Sequence, residues 1–193
     1  MIFVNKKTIT VGCNMVYLFL ANGFEEIEAL CPLDLLRRAG VAVTTVGIGG
    51  EMIVGSHGIT VMADIPEGHY QDSTPDMLIL PGGMPGAKHL DESRTVDTAL
   101  KAAARNGGIL AAICAAPMVL GHRGLLDGRE AICFPGFEKE LAGATISQKR
   151  VVRDGNVITA AGMGVALEFG LALVAALKGD AAAEQLRRTV LAD

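Results

Sequence analysis

Apolar runs of strand length alternate along this chain with segments whose apolar residues recur at helical spacing. Three runs, 15–21, 76–80 and 109–113, are apolar almost throughout, as expected for strands that are buried on both faces of a parallel sheet. Repeated strand–helix–strand units imply right-handed crossovers, with helices covering both faces of the sheet. The pattern therefore predicts an α/β fold built on a mostly parallel sheet.

The helix signals are strongest in segment 25–39. Glutamates occupy its first turn, Arg37 and Arg38 lie in its last turn, and Gly40 follows as a stop. The other predicted helices are 95–106, 115–121, 164–178 and 180–191. The other predicted strands are 41–47 and 129–134, with hairpins formed by 52–54 with 59–62 and by 151–153 with 157–159.

Composition limits the domain organisation. The chain has 193 residues and is 50% hydrophobic but only 4% aromatic, so its core must consist of Ala, Val, Leu, Ile and Met. A chain of this length usually forms one domain. Because Met15 begins the first clear element, we expect residues 1–14 to be an N-terminal extension and residues 15–193 to be the single domain.

Charge and cysteine content exclude several classes of protein. The net charge of −4, without a basic stripe, argues against nucleic-acid binding. No apolar run approaches the roughly 18 residues of a membrane helix. The four cysteines show no CxxC spacing, so we expect reduced thiols, a cytoplasmic location and no metal site. These cysteines are Cys13, Cys31, Cys114 and Cys133.

Candidate chemistry lies where predicted strands end, the usual place for sites in open parallel sheets. Cys114 stands between a strand and a helix, with Ala112 and Ala116 two positions to either side, like the small residues that flank a nucleophile elbow. The N–H groups at the start of the helix would lower the pKa of the thiol. Alternatively, Cys114 is a small core residue, as most free cysteines are.

Two other strand ends carry weaker signals. Gly82 and Gly83 follow a strand and either hold an oxyanion through their N–H groups or form an ordinary turn. Glu28 shares a helical face with Cys31 and Leu35, where a carboxyl is driven towards protonation. Glutamates at a helix start are more often surface charges. Spacing singles out none of the four histidines as a partner of the thiol.

Three segments, Ala-Asn-Gly-Phe-Glu-Glu-Ile-Glu at 21–28, Leu-Pro-Gly-Gly at 80–83 and Ala-Ala-Ile-Cys-Ala-Ala-Pro at 111–117, resemble the DJ-1/ThiJ/PfpI superfamily, and its deglycase and YajL-like branch in particular. The resemblance runs from Met15 nearly to the C-terminus. It implies a flavodoxin-like three-layer sandwich, similar to class I glutamine amidotransferase domains, that assembles as a homodimer and needs no cofactor.

The resemblance also implies roles for individual residues. Cys114 corresponds to the elbow nucleophile and Glu28 to the protonated carboxyl that contacts its sulfur. The oxyanion-binding positions correspond to Gly82, Gly83 and Ala115. Residues that match positions lining the site are Phe134, His57, Arg38 and Met163.

The chain departs from the family pattern in several places. Ala115 follows the nucleophile where the protease-like branch has histidine, which argues against a Cys-His peptidase. Phe134 stands where the deglycase branch can carry histidine, and His57 stands where many relatives have an arginine that reaches the site from a neighbouring subunit. Met163 lies in a Gly-Met-Gly-Val segment that replaces Gly-Pro-Gly-Thr. These differences leave open which residue is the general base and what shape the substrate-binding site has.

Two functions are compatible with these residues. In the first, Cys114 attacks a 2-oxoaldehyde, or its adduct on a glycated protein, in a cofactor-free glyoxalase III or deglycase reaction. In the second, Cys114 is the oxidisable thiol of a redox sensor or stress chaperone. We expect a small-molecule aldehyde or a glycated protein as partner, and neither nucleic acid nor membrane.

Overall fold

The structure is a computed structural model that describes residues 15–71 and 74–192. Its strands are β1 Val16–Ala21, β2 Val43–Ile48, β3 Met52–Val54, β4 Thr60–Met62, β5 Ile65–Pro66, β6 Met77–Leu80, β7 Ile109–Ile113, β8 Glu130–Ala131, β9 Thr145–Ile146, β10 Val151–Asp154 and β11 Val157–Ala160. Its helices are α1 Glu26–Arg38, α2 Gly86–Glu92, α3 Arg94–Arg105, α4 Pro117–Gly121, α5 Ala166–Lys178 and α6 Asp180–Thr189.

A seven-stranded sheet forms the centre of the fold, in the order β10-β11-β7-β6-β1-β2-β5. All of its neighbouring strands pair in parallel except β10 and β11. Every residue of β1 and β6 is buried, which explains why these strands consist of continuous apolar runs. The prediction of an α/β fold with a mostly parallel sheet is confirmed.

Helices cover both faces of this sheet and produce three layers. Neighbouring strand residues point to opposite faces, so Leu18 packs in the core under α1, α5 and α6, whereas Phe19 packs in the core under α2, α3 and α4. Pairs β3–β4 and β8–β9 form two small separate sheets. No helix within residues 15–71 and 74–192 is long and apolar enough to cross a membrane.

One local prediction needs correction, one helix was missed, and one prediction lies outside the described residues. The predicted strand 129–134 is reduced to Glu130–Ala131, because the chain then turns so that the N–H of Phe134 donates to the carbonyl of Cys114 at 2.8 Å. Helix α2 was not predicted, since it is short and begins directly after Pro85. The predicted extension, residues 1–14, lies outside the ranges that the structure describes.

His122 joins three segments that surround the end of β7. It follows α4, and its Nδ1 and Nε2 atoms lie 2.8 Å from Asp91 Oδ2 of α2 and 2.9 Å from Glu140 Oε2. Ionised carboxylates only accept hydrogen bonds, so both ring nitrogens must carry protons for both bonds to form. The bonds to Glu140 and Asp91 accordingly raise the pKa of His122 above 6.5.

We expect His122→Gln to destabilise the protein at low pH more than at high pH. Because the folded-state pKa is raised, this stabilisation is fully present below pH 6.5 and is lost as the pH rises through the folded-state pKa. The side chain is 38% exposed, so the effect is about 0.5–1 kcal/mol. Urea unfolding at pH 5.5 and 9, with His69→Gln as control, measures it, and a pH-independent difference would contradict the assignment.

Candidate active site

Cys114 occupies a strained turn between β7 and α4. Its φ of 64° is rare for a residue other than glycine and costs conformational energy. Two hydrogen bonds hold it: its N–H donates to the Ala160 carbonyl at 2.9 Å, and its carbonyl accepts from the N–H of Phe134. The neighbouring alanines at 112 and 116 are fully buried, so larger side chains would not fit around this elbow.

Glu28 places a buried carboxyl beside this elbow from the first turn of α1. The side chain of Glu25 caps the helix by accepting from the Glu28 N–H at 2.7 Å. Glu28 is fully buried, and its Oε2 atom accepts a hydrogen bond from the Gly82 N–H at 3.0 Å. Within the described residues its Oε1 atom has no hydrogen-bond partner, although it lies in the interior. This oxygen is therefore a buried polar atom whose hydrogen-bonding capacity is unused.

Burial raises the pKa of Glu28 from 4.5 to about 7, and the negative charge of Glu25 adds to this effect. Interactions with Cys114 and with the Gly82 N–H oppose the rise without cancelling it. Near neutral pH the carboxyl therefore exists in both protonation states. A group with such a pKa both donates and accepts a proton at physiological pH.

The thiol of Cys114 responds to the same environment. Burial and the charge of an ionised Glu28 raise its pKa to about 12, whereas the N–H groups of Gly83 and Ala115, which point at the sulfur, lower it. The expectation that the helix start lowers this pKa is therefore corrected, because burial and Glu28 outweigh the N–H groups. An ionised Glu28 disfavours the thiolate, so near neutral pH the two side chains together carry at most one negative charge.

Gly82 is required by the close approach of three segments. A Cβ atom at this position would lie 2.6 Å from Glu28 Oε2 and 2.7 Å from the Cβ of Cys114. The N–H of Gly82 is already bonded to Glu28, so the prediction that it holds an oxyanion needs correction. The N–H groups of Gly83 and Ala115 both face the sulfur and remain the candidate oxyanion donors.

Substituting Gly82 with alanine is expected to separate Glu28 from Cys114. The added methyl group overpacks a rigid site, and we expect a loss of about 1–3 kcal/mol of stability together with at least tenfold slower thiol alkylation or turnover. Gly68→Ala is the matched control, because a Cβ there meets no atom within 4 Å. Equal thermal unfolding and equal Cys114 reactivity in both variants would contradict this geometry.

Comparisons with known proteins identify relatives of this chain. A model of the DJ-1/PfpI family matches residues 14–176. The chain belongs to the DJ-1/PfpI family. It is 39% identical over 178 residues to the Parkinson disease protein 7 homolog of Danio rerio, which covers 89% of this chain and 94% of that protein.

Two further family members are informative. The glutathione-independent glyoxalase DJR-1.2 of Caenorhabditis elegans is 33% identical over 156 residues, covering 80% of this chain and 83% of that protein. The solved structure of oxidized Toxoplasma gondii DJ-1 superposes with a TM-score of 0.88 at 34% identity, covering 91% and 97% of the two chains. The superposition confirms the predicted fold class.

Phe134 and Met163 lie near Cys114 and Glu28, and their role in lining a substrate site stays a prediction. The backbone bond between Phe134 and Cys114 fixes the first, and Gly162, the neighbour of Met163, approaches both the Phe134 ring and Glu28. Sequence reasoning missed Thr159, a fully buried residue of β11. Its hydroxyl accepts from the Ile132 N–H at 2.9 Å and so anchors the segment that leads to Phe134.

His57 lies near the start of α1 but binds Glu26 rather than Cys114. Its Nδ1 atom is 2.9 Å from Glu26 Oε2, and its N–H donates to Glu26 Oε1 at 2.8 Å. Burial alone would raise the pKa of Glu26, yet these bonds and one from the Ile59 N–H lower it to about 2. Glu25, Glu26 and His57 place three potential metal ligands within 4.8 Å of one another.

Sequence reasoning missed the burial of Glu26, which is only 3% exposed. Three glutamates at a helix start look alike in the sequence, and the groups that bind Glu26 come from a hairpin loop some thirty residues further along. Two other histidines also bind elsewhere: His89 bonds the Asn22 carbonyl, and His122 bonds Asp91 and Glu140. Cys114 and Glu28, a thiol and a carboxyl, are therefore the candidate catalytic pair.

The prediction that Arg38 lines the site is wrong. Arg38 is the last residue of α1, and a rise of 1.5 Å per residue places it about 15 Å along the helix from Glu28. It pairs with Asp34 at 2.6 Å and faces a surface groove that Lys178 and Gln185 also line. Its charge therefore serves the C-terminal end of the helix rather than the nucleophile.

Proposed function

We propose that this DJ-1/PfpI protein has a stress-protective role as a cofactor-free enzyme that converts 2-oxoaldehydes into 2-hydroxy acids. The observation that carries the proposal is the fully buried Glu28 carboxyl, with a pKa of about 7, beside the Cys114 thiol on its elbow. The similarity to a relative named as a glutathione-independent glyoxalase supports the same reaction.

The reaction begins on the aldehyde carbon of R–CO–CHO. The thiolate of Cys114, paired with a protonated Glu28, attacks this carbon, the C=O double bond opens, and the oxygen takes the proton of Glu28. The product is a hemithioacetal, and Glu28 is left ionised beside it. While charge builds on the oxygen, the N–H groups of Gly83 and Ala115 lie close enough to stabilise it.

The second stage moves hydrogen within the bound molecule. The ionised Glu28 takes the C1 proton and returns it to C2, while the hydroxyl proton passes from the C1 oxygen to the C2 oxygen. C1 is oxidised and C2 reduced, so no outside oxidant or reductant is needed. Water then cleaves the resulting thioester, which releases the 2-hydroxy acid and restores the thiol. An adduct on a glycated protein enters the same sequence once its C1 bond to the protein's amine or thiol breaks, which frees that group and re-forms the aldehyde.

The direct test is to incubate the purified protein with methylglyoxal alone and to measure lactate. We expect lactate without added glutathione or metal, and none from a Cys114→Ser preparation. A glycated peptide incubated in parallel shows whether adducts are also substrates. Absence of lactate and of adduct release from the wild type would contradict the proposed enzyme.

A second function, redox sensing, is favoured by the donors that converge on the same sulfur. The N–H groups of Gly83 and Ala115 and a protonated Glu28 are placed to stabilise the oxygens of a sulfinate on Cys114. Cys133 is buried with a pKa raised to about 11, so it provides an internal reference. Peptide mass spectrometry after graded peroxide should show oxidation of Cys114 first, and equal oxidation of both thiols would refute sensing.

We also propose that the chain forms a homodimer through the outer face of hairpin β3–β4. Large apolar side chains are exposed there, Met62 by 69% and Met52 by 65%, while Ile53 on the inner face is fully buried. An apolar patch of this kind is typical of an interface. Light scattering should show a dimer for the wild type and for Leu191→Glu, and a monomer for Met62→Glu. A dimer that survives Met62→Glu would place the interface elsewhere.

A further inference from the structure

Two large apolar side chains stand exposed at the rim of the Cys114 site. Phe134 is 48% exposed and Met163 is 53% exposed, although side chains of these types are usually buried. The backbone bond from Phe134 to the Cys114 carbonyl fixes the phenylalanine directly beside the nucleophile. Their exposure therefore occurs next to the reacting atom and not on a remote surface.

The Phe134 ring and the free oxygen of Glu28 lie on either side of Gly162. A Cβ atom on Gly162 would lie 3.2 Å from Cδ2 of the ring and 3.9 Å from Glu28 Oε1. The absence of a side chain at Gly162 thus lets an aromatic ring and a carboxyl oxygen approach each other closely, and this oxygen is buried and has no hydrogen-bond partner among the described residues. One of these groups is apolar and the other is polar.

A 2-oxoaldehyde that approaches Cys114 has the same two-sided character. Before the attack, its second carbonyl oxygen can accept a hydrogen bond from the Glu28 carboxyl, which still holds its proton at that stage. With that oxygen directed at Glu28, the substituent R is directed across Gly162 towards the ring of Phe134. A flat apolar substituent would stack on the ring, whereas the hydrogen atom of glyoxal would leave the ring exposed.

Charged groups near Phe134 and Gly162 also limit which substituent R the site can accept. The Arg150 guanidinium donates to the Gly164 carbonyl at 3.0 Å and lies 3.9 Å from Glu168, so its charge is already matched. Glu28 and Glu25 add negative charge when ionised, which disfavours a substituent that carries a carboxylate or phosphate. An exposed aromatic ring together with nearby negative charge therefore favours uncharged, apolar substituents.

We propose that Phe134 is a specificity-determining residue that selects 2-oxoaldehydes with an apolar, preferably aromatic, substituent over small ones. The inference rests on the proposed 2-oxoaldehyde activity and adds to it the class of substrate. Phe134 acts through its ring alone, since its backbone bond to Cys114 is independent of the side chain. Truncating the side chain should therefore leave the nucleophile in place.

The experiment compares kcat/KM for phenylglyoxal and methylglyoxal in the wild type, Phe134→Ala, Phe134→Leu and the control Leu191→Ala. Leu191 is 86% exposed and lies near the C-terminus. We expect Phe134→Ala to lower the phenylglyoxal-to-methylglyoxal ratio about five- to tenfold. We expect a smaller loss for methylglyoxal than for phenylglyoxal, an intermediate ratio for Phe134→Leu and the wild-type ratio for the control.

The outcomes separate this inference from the proposed activity. If Phe134→Ala turns over methylglyoxal with an unchanged ratio, or loses both activities equally, then the assignment of specificity to Phe134 is wrong and the enzymatic activity stands. If the wild type converts neither aldehyde, the activity itself fails and the inference fails with it. A ratio that falls only in the Phe134 variants supports both.

Discussion

Replacing Cys114 with serine is expected to lower lactate formation from methylglyoxal by at least about 10³-fold. A serine hydroxyl is a much weaker nucleophile at neutral pH, and Glu28, with a pKa of about 7, is too weak a base to ionise it. The backbone bonds that hold the elbow involve only main-chain atoms of residue 114, so the fold should persist. Steady-state assays at pH 7.5 measure the change.

Cys31→Ser is the matched control for this loss. Cys31 lies on the same face of α1 as Glu28 but is only partly buried, and burial followed by the charge of Asp34 raises the pKa of its thiol. We expect this variant to retain wild-type activity and a thermal midpoint close to that of Cys114→Ser. Retained turnover in Cys114→Ser, or its loss in Cys31→Ser, would show that the nucleophile has been assigned to the wrong thiol.

Replacing Glu28 with glutamine is expected to lower turnover about 10²- to 10⁴-fold, the usual contribution of a positioned acid or base. The amide oxygen of glutamine can still accept from the Gly82 N–H, so the geometry of the loop is preserved. The amide cannot take the C1 proton from the bound substrate. Turnover close to the wild-type value would rule out Glu28 as the group that moves the proton.

The same substitution is expected to improve stability at alkaline pH. The folded-state pKa of Glu28 is raised from 4.5 to about 7, so its contribution to stability is full below pH 4.5 and declines as the pH rises through 7. At ~1.4 kcal/mol per pKa unit the decline amounts to about 3 kcal/mol. Denaturant unfolding should therefore show that the stability of Glu28→Gln relative to the wild type is greater at pH 8.5 than at pH 5. If Glu28 only packed in the core, this difference in stability would not depend on pH.

The sequence predicted the parts of this fold that local patterns control. Apolar runs identified β1, β6 and β7, because strands buried on both faces have no polar positions. The small residues around Cys114 identified the elbow, because a tight turn excludes larger side chains. Local pattern did not predict α2, whose seven residues begin directly after a proline and provide too short an apolar stripe.

Long-range contacts explain what the sequence left open. The burial of Glu26 depends on His57, which lies on a hairpin distant in sequence, and the Gly82 N–H is occupied by Glu28, 54 residues away. Helical spacing placed Glu28 on an apolar face, but the family resemblance was needed to choose it among neighbouring glutamates. The same resemblance suggested Arg38, and the length of α1 removes that residue from the site.

The protonation state of Glu28 is the centre of this account, and a carboxyl titration measures it directly. ¹³C NMR of the carboxyl carbons in glutamate-labelled protein, with Glu28→Gln to assign the resonance, should show Glu28 titrating near pH 7 and Glu26 remaining ionised down to about pH 2. Glu26 is the internal control, because it is buried at the same end of α1. A Glu28 carboxyl that titrates near 4.5 would contradict the shared proton and the mechanism built on it.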